Sequence, residues 1–410
     1  MKKRVTAFFL MIAAMMGAAG CKTNFLPERR EIDDLQLVQV LGIDKSVEIP
    51  GSQVLTIASR KDTPDTGLSR SQQHPGSSGE GEISLGNKAF ISTAQGKTLF
   101  EAARKMQASS DKFLFWAHTK YYLIGEEAAK DNIAKYIDFI ARDNEFHINS
   151  KVYIVKGTTA KELIEQVNKS DLYIADKLDS LGQTIKMLST SEELTLAELM
   201  RFFDIHFGSA RIPCIELVDR GSGQGQLIPA VESFGYAVVA NLKLVSYIGR
   251  DISRGVNLIT NKMESTIVTV KDLNGEDASL EIISSKTEVA PRYAGDELTD
   301  ITLKTKVEGN LGEVQSQAHT IYEENFKHME VQLSEILENE MRSVLQVVRE
   351  SESDCLGICD MLRLKDPVKW HKIESRWMEI LSHLNIHVEV ESELRRSYEL
   401  GEPSSKKDMK

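Results

Sequence analysis

Apolar and polar positions change their period several times along this chain, and each change predicts an element. Residues 35–43 and 54–59 are β-rich apolar runs, and strand character returns at 88–92. Between them, residues 61–82 are crowded with Ser, Gly, Pro and charge; so little apolar surface predicts a mobile loop. Thr98 and Glu101 form a T-x-x-E capping signature, which opens a helix with Leu99, Ala102, Ala103 and Met106 on one face. Residues 121–124 predict a buried strand. Residues 132–142 predict a helix with Ile133, Tyr136, Ile137 and Ile140 inward, and 151–155 another strand. Thr159 with Glu162, and Thr195 with Glu198, repeat the T-x-x-E signature. This alternation predicts an α+β or α/β first domain.

From Arg211 onward strands dominate. Residues 233–240 and 243–248 flank Asn241-Leu242, and residues 265–270 and 279–284 flank Asn274-Gly275, the stronger hairpin signal. In 300–308, Ile301, Leu303, Thr305 and Val307 alternate with Thr302, Lys304, Lys306 and Glu308, the pattern of a half-buried strand. Residues 320–349 carry Phe326, Leu333, Leu337, Met341, Val344 and Val348 at helical spacing. At about 1.5 Å per residue that helix is roughly 45 Å long. Packing on its own sheet is a better use for its stripe than a coiled coil. Asp366 and Pro367 predict the N-cap and first turn of a further helix. Its stripe of Trp370, Ile373, Trp377 and Leu381 reads as core rather than as a ligand platform, and Ile386, Val388 and Val390 close the pattern as a strand.

The first residues follow a different logic. Lys2, Lys3 and Arg4 precede an apolar run, 5–16, that is too short to span a bilayer as a permanent helix and fits a secretory signal. Gly17, Ala18, Ala19 and Gly20 then lead to Cys21. Small residues suit a protease cleft, and a cysteine placed directly after them offers a thiolate for lipid transfer. The segment resembles a lipobox, with Ala18 where Leu is commoner. Residues 1–20 are therefore expected to be a signal peptide and Cys21 the lipidation site. Residues 22–31 are polar and read as a tether. Cleavage removes three positive charges and no negative ones, taking the formal charge from -11 to -14. An acidic body of this kind disfavours nucleic acid and charge-based adhesion to anionic headgroups, so the lipid must do the holding. No later segment is apolar for long enough to cross a membrane.

The search for catalysis finds little. H-E-x-x-H and G-x-S-x-G are absent. Ser109 and Lys112 match S-x-x-K without its companion motifs. Gly221, Gly223 and Gly225 lack the lysine and helix of a phosphate loop. His383 and His387 are four apart, but a strand starts between them and separates their side chains. Of the remaining cysteines, Cys214 stands alone. Cys355 and Cys359 are four apart, a spacing open to a disulfide outside the cell or, more simply, to buried apolar filler. Neither a catalytic set nor a cofactor or metal site is expected.

Four segments together resemble the Ger(x)C family, the C subunits of nutrient germinant receptors in endospore formers. They are Arg30-Glu31-Ile32, Leu35 and Leu41-Gly42-Ile43-Asp44; then 120–125 with 133–144, where Arg142-Asp143 end the helix; then Val307-Glu308-Gly309-Asn310-Leu311-Gly312; and 354–357 with Pro367, Trp370, Trp377 and 386–391. Their order and spacing cover nearly the whole mature chain. The chain departs from the family's usual Cys-Trp-Asp before R-E-I, since Cys21 stands eight residues before Arg29. It also has Cys359 where Gly is commoner. The resemblance implies an α+β protein of three successive domains, each a mixed or antiparallel sheet with packed helices. Those domains are placed at 21–185, 186–262 and 263–410. It further implies lipid attachment at Cys21, residence on the outer face of the spore inner membrane, A and B membrane subunits as partners, and no catalytic residues. A solute-binding lipoprotein feeding a transporter and an anchored envelope hydrolase are the alternative readings. The first lacks a visible lobe repeat, and the second lacks its motifs.

Overall fold

The computed structural model describes residues 31–60, 89–170, 172–221, 227–315 and 323–395. The loop expected at 61–82 and the signal segment lie outside them. β1 (Leu35–Lys45) and β2 (Gln53–Arg60) pair antiparallel, and β3 (Ala89–Gly96) adds to β2. In α1 (Leu99–Ala108), Thr98 Oγ1 accepts the Glu101 N–H at 3.1 Å, whereas the Glu101 carboxylate accepts from Lys97 N–H. The return bond of a capping box is thus displaced by one residue. β4 (Phe113–Phe115) pairs parallel with the first residues of β1, and β5 (Tyr121–Gly125) lies parallel beside its second half.

α2 (Glu126–Arg142) starts six residues before its expected position, but it is broken at Asn132, where φ is -170° and ψ 110°. There the Ile133 N–H donates to Leu242 O at 2.8 Å and Asn132 Oδ1 accepts from Ala134 N–H at 3.0 Å. The helix expected from 132 is therefore the restart after the break. β6 (Lys151–Lys156) is followed by α3 (Ala160–Lys169), α4 (Ile174–Leu188) and α5 (Leu196–Ile205). Thr195 and Glu198 at the start of α5 form the complete reciprocal capping box. β7 (Ala210–Gly221), β8 (Leu227–Ala240) and β9 (Lys243–Gly249) complete a nine-stranded sheet of order β3-β2-β1-β5-β6-β7-β8-β9, with β4 beside β1. Four parallel strands occupy its middle and antiparallel strands both flanks. Helices cover both faces, so Val40, Leu41, Ile43, Leu123, Ile124, Ile154 and Val155 are all fully buried.

α6 (Ser253–Ile259) leads to β10 (Thr266–Lys271), β11 (Asp277–Ala294) and β12 (Glu297–Val314), an antiparallel meander. α7 (Glu323–Glu350) is the long helix expected from 320; its first expected residues lie outside the described ones. Then come α8 (Ile358–Lys365), α9 (Pro367–Ile373), a 3-10 turn at Glu374–Arg376, α10 (Trp377–His383) and β13 (Asn385–Arg395), which pairs parallel with β12. Leu333, Leu337, Met341, Val344 and Val348 of α7 pack with Ile301, Leu303 and Val388 of the sheet, as the stripe required. Side chains of α7 also reach both edges of this sheet. Gln332 bonds the Lys271 N–H and C=O on β10, while Ser334 and Glu330 accept from Ser392 and Leu394 N–H on β13. An exposed strand edge invites pairing with other chains, and these side chains occupy part of each edge.

The mixed helix-and-strand composition matches expectation, but the described sheets number two, not three. Residues 186–262 have no sheet of their own, because β7 pairs with β6 and carries β8 and β9 into the first sheet. The boundary placed after 185 falls inside α4. Strand periodicity reports which residues are extended, not which strand they join.

Candidate functional site

Cys21, the residue expected to carry the lipid, lies outside the described residues. Some of the other motif residues gather at two places, Asp44 with Gly125 and Asp354 with Gly357 and Trp377, whereas 307–312 and 386–391 run along β12 and β13. The first is at the carboxyl ends of the parallel strands. Asp44, at the end of β1, accepts the Ala160 and Lys161 N–H groups at 2.8 and 2.9 Å. These are orphan amides of the α3 N-terminus, where a negative charge also meets the helix dipole. Burial raises the Asp44 pKa against the lowering effect of those two bonds. Beside it, Glu126 accepts the Gly157 N–H at 2.9 Å. In open α/β sheets a crevice of this kind, at strand ends and helix N-termini, is where anionic ligands bind. Here the chain's own carboxylates take its amides. Gly125 is obligatory beside them, since a Cβ would lie 2.0 Å from Asp44 Oδ1.

Gly125→Ala should therefore cost about 2–3 kcal/mol, in the range of overpacking a filled site, measured by chemical denaturation. In an Asp44→Ala background the same change should cost much less, because the clashing atom is gone. Equal costs in both backgrounds would contradict this geometry.

The second place is the joint between the sheets. The turn after α7 carries Ser353 and Asp354, both fully buried. Asp354 accepts the Ile358 N–H at 2.7 Å, the Cys359 N–H at 2.9 Å and the Trp377 indole N–H at 2.8 Å. It caps α8 and pins α10 with one carboxylate, and Trp377 stacks edge-on with Trp370 at 5.3 Å. The same turn bonds the first sheet. Ser353 Oγ donates to Val239 O at 2.7 Å, Ser209 Oγ accepts the Asp354 N–H at 3.2 Å, and Arg211 Nη1 donates to Cys355 O at 3.1 Å. Arg211 is 3% exposed and forms an ion pair with Glu192 at 2.7 Å. The pair is poorly aligned and leaves Arg211 Nε without a hydrogen-bond partner. Burial opposes the Arg211 charge, yet Glu192 holds its pKa above the ordinary value.

His206 completes the joint. It is buried, stacks on Phe202 at 5.0 Å, and sets Nε2 3.5 Å from Asp360 Oδ2. Its ring covers Gly357, whose φ of +72° suits glycine and whose Cβ position is 2.8 Å from His206 Cε1. Burial pushes the His206 pKa below its ordinary 6.5, against the pull of Asp354 and Asp360 and with the help of Arg211. A folded pKa below the unfolded one means that the neutral ring belongs to the fold. Its contribution is complete above pH ~6.5 and fades as the pH falls through the folded value. Stability should thus fall as the pH drops below about 6.5, and His206→Gln should flatten that part of the profile. An unchanged slope in the variant would remove His206 from the account.

Cys355 and Cys359 are free thiols, both buried; Cys359 Sγ donates to Ile205 O at 3.8 Å. Burial pushes the Cys355 pKa up to about 12 and raises that of Cys359 as well, so neither is poised as a nucleophile. Cys214 is buried in β7 and its pKa is likewise raised. Ser109 Oγ donates to Met106 O at the end of α1. Gly221 ends β7; Gly223 and Gly225 lie outside the described residues, between β7 and β8. β13 starts between His383 and His387. Among the described residues no group of His, Cys, Asp and Glu is placed to hold a metal. The sequence reading did not single out Glu192, His206 or Arg211, which stand in no motif. The available signal was an arginine inside the apolar run Ala210 to Ile215 of β7.

Two family descriptions match the chain: spore germination protein N-terminal domain over residues 28–217, and spore germination B3/GerAC like, C-terminal, over residues 234–398. The chain belongs to the GerAC-like spore germination family. Its GerAC-like relatives include spore germination protein KC of Bacillus subtilis (strain 168). That protein is 22% identical over 403 residues, covering 95% of this chain and 94% of the relative. Spore germination protein B3 of the same strain is 21% identical, covering 95% and 96% respectively. The crystal structure of the GerBC protein shares the fold, with a TM-score of 0.53, 17% identity, and coverage of 86% of this chain and 96% of that one. The two GerAC-like sections do not coincide with the two sheets. The first ends on β7 and the second begins on β8, so the pairs from Ala210↔Val239 to Cys214↔Gly235 join the two sections inside one sheet.

Proposed function

We propose that this protein is the lipid-anchored C subunit of a spore nutrient germinant receptor. It acts through contacts with A and B membrane subunits from the outer face of the inner membrane, and a lipid on Cys21 holds it there. The observation that carries the reading is the match to spore germination proteins KC and B3 over nearly the full length of each. Among the described residues no helix is long and apolar enough to cross a membrane, which suits a body held by a lipid. Asp44, Asp354 and Arg211 serve as internal fastenings and the thiols are buried, which supports a role played by shape and contact. Lipid anchoring confines subunits to a thin layer, where modest affinities suffice for assembly.

The test is nutrient-triggered germination in a strain lacking only this gene, complemented with wild type or with Cys21→Ala. Wild type should restore a lost response and Cys21→Ala should not, while germination by receptor-independent routes survives both. Labelled palmitate should enter the wild-type protein alone. A normal response in the deletion strain, with no paralogue covering the same nutrient, would falsify the reading.

A further inference from the structure

β7 and β8 outrun the sheet that they join. β7 pairs with β6 only as far as Glu216, and β8 pairs with β9 only from Gly235. Residues 217–221 and 227–231 therefore stand beyond the sheet as a two-stranded arm. Such a ribbon is marginal by itself in water. The arm and α4 face each other across an open groove of about 520 Å³. The buried Leu181 and the half-buried Val231 line it, together with Leu188 and Ile228, which are 47% and 41% exposed. The charges in the groove run against those of the whole chain. Its lining carries Lys177, Arg220 and Arg250 but, among the described residues, one carboxylate, Glu232. Both arginines already share that carboxylate: Arg220 Nε donates to Oε1 at 2.5 Å and Arg250 Nη1 to Oε2 at 3.0 Å. The chain as a whole has a formal charge of -11.

We infer that the groove between α4 and the β7–β8 arm is a docking site for an acidic, apolar peptide segment of a membrane subunit. The inference rests on the receptor-subunit reading above, which supplies the partner; the groove supplies its chemistry. Lys177 and Leu188 mark off roughly 16 Å along α4 at about 1.5 Å per residue. That length suits about five residues of extended chain, at about 3.3 Å each, better than a compact nutrient molecule. Apolar side chains of the segment would cover Leu188 and Ile228, and its carboxylates would meet Lys177 and the two arginines. Complementary charge of this kind selects a partner and sets its register. The position of the arm along the chain agrees with such a use. The two family sections end at 217 and begin at 234, so residues 218–233 belong to neither. The arm is thus a place where this chain is free to fit its own partner.

Thr184 gives the test. It is exposed on α4 within the groove, and its hydroxyl bonds only the helix carbonyl of Ser180, so its replacement spares the core. Full-length protein, as wild type, Thr184→Glu or Thr184→Lys, would be isolated by an affinity tag from detergent-solubilised membranes, and the recovered membrane subunits quantified. Thr184→Glu should reduce their recovery about fivefold or more, whereas Thr184→Lys, of similar size and opposite charge, should keep it near wild type. In parallel, benzoylphenylalanine at position 180 would be photo-crosslinked in membranes and the adduct mapped by mass spectrometry. An adduct to a membrane-subunit peptide that carries Asp or Glu among apolar residues is the expected result. Full recovery with both variants and no adduct overturns the groove and leaves the receptor reading standing. Equal loss with Glu and Lys overturns the acidic character of the occupant. An adduct to this chain itself, within one copy or between two, overturns the membrane subunit as partner. Recovery of no membrane subunit with the wild type overturns the receptor reading and this partner with it.

Discussion

Asp354→Ala is expected to cost about 3–5 kcal/mol of stability, enough to unfold much of a marginally stable chain. The carboxylate is fully buried and accepts three donors: two amides at the start of α8 and the Trp377 indole on α10. Truncation leaves all three without an acceptor in a place water does not reach, and each buried unsatisfied group costs about 1–3 kcal/mol. It also frees the turn that ties α7 to β8 through Ser353. Asp354→Asn keeps one acceptor oxygen but turns an amide towards the N–H groups, so its cost should be intermediate. Trp370 and Trp377 pack beside this residue, so tryptophan fluorescence during urea denaturation follows the event directly. A midpoint shift worth less than about 1 kcal/mol would show that the joint tolerates the loss.

Arg211→Ala is expected to be as damaging, at about 3–5 kcal/mol, because it strands Glu192, whose side chain is only 11% exposed. It also removes the bond to Cys355 O, a direct link between β7 and the turn carrying Asp354. The decisive control is the double variant Arg211→Met with Glu192→Gln, which replaces both charges. If the cost of the single change comes from an uncompensated buried charge, the double variant should recover most of it. Loss of the link has a further expected consequence: the first sheet and the second sheet should melt in two steps in Arg211→Ala where the wild type melts in one. Calorimetry would show the split. A single transition with unchanged midpoint would sink both claims.

These two residues illustrate what the sequence leaves out. Asp354 stands in a recognisable D-x-x-G segment, and its cap on α8 is a local effect that spacing alone suggests. Its bond to Trp377, 23 residues on, is not local. His206 and Arg211 of the first section meet the turn at 353–360, and Glu192 meets Arg211, only in the folded chain. No spacing rule connects them.

Helices follow the same division. α1, α3 and α5 open on a threonine whose side chain accepts the N3 amide, so their starts were legible. α4 and α6 open without any side-chain cap, and α8 opens on Gly357 with its first amides taken by Asp354 further back; none of the three was read, although Ile174, Leu178, Leu181 and Ile185 lie at helical spacing in α4. The strands of the second sheet were legible as alternation, since one face packs on α7 and the other meets water. Their full lengths were not: β11 and β12 run 18 residues each, well past the alternating segments first recognised.

By itself, then, the sequence determined the local elements, the buried stripe of α7, the tryptophan core and the membership of the family. The elements and stripes rest on neighbours within about one or two turns of chain, where period and capping chemistry act directly, and the family resemblance on the order of short segments along the chain. Only the tertiary structure decided that β7, β8 and β9 extend the first sheet instead of forming one of their own. Only it brought Arg211 of β7 against Cys355 in the turn after α7. Strand pairing and side-chain meetings of this kind depend on which distant apolar faces bury one another, a choice made by the whole chain's packing and written in no single segment.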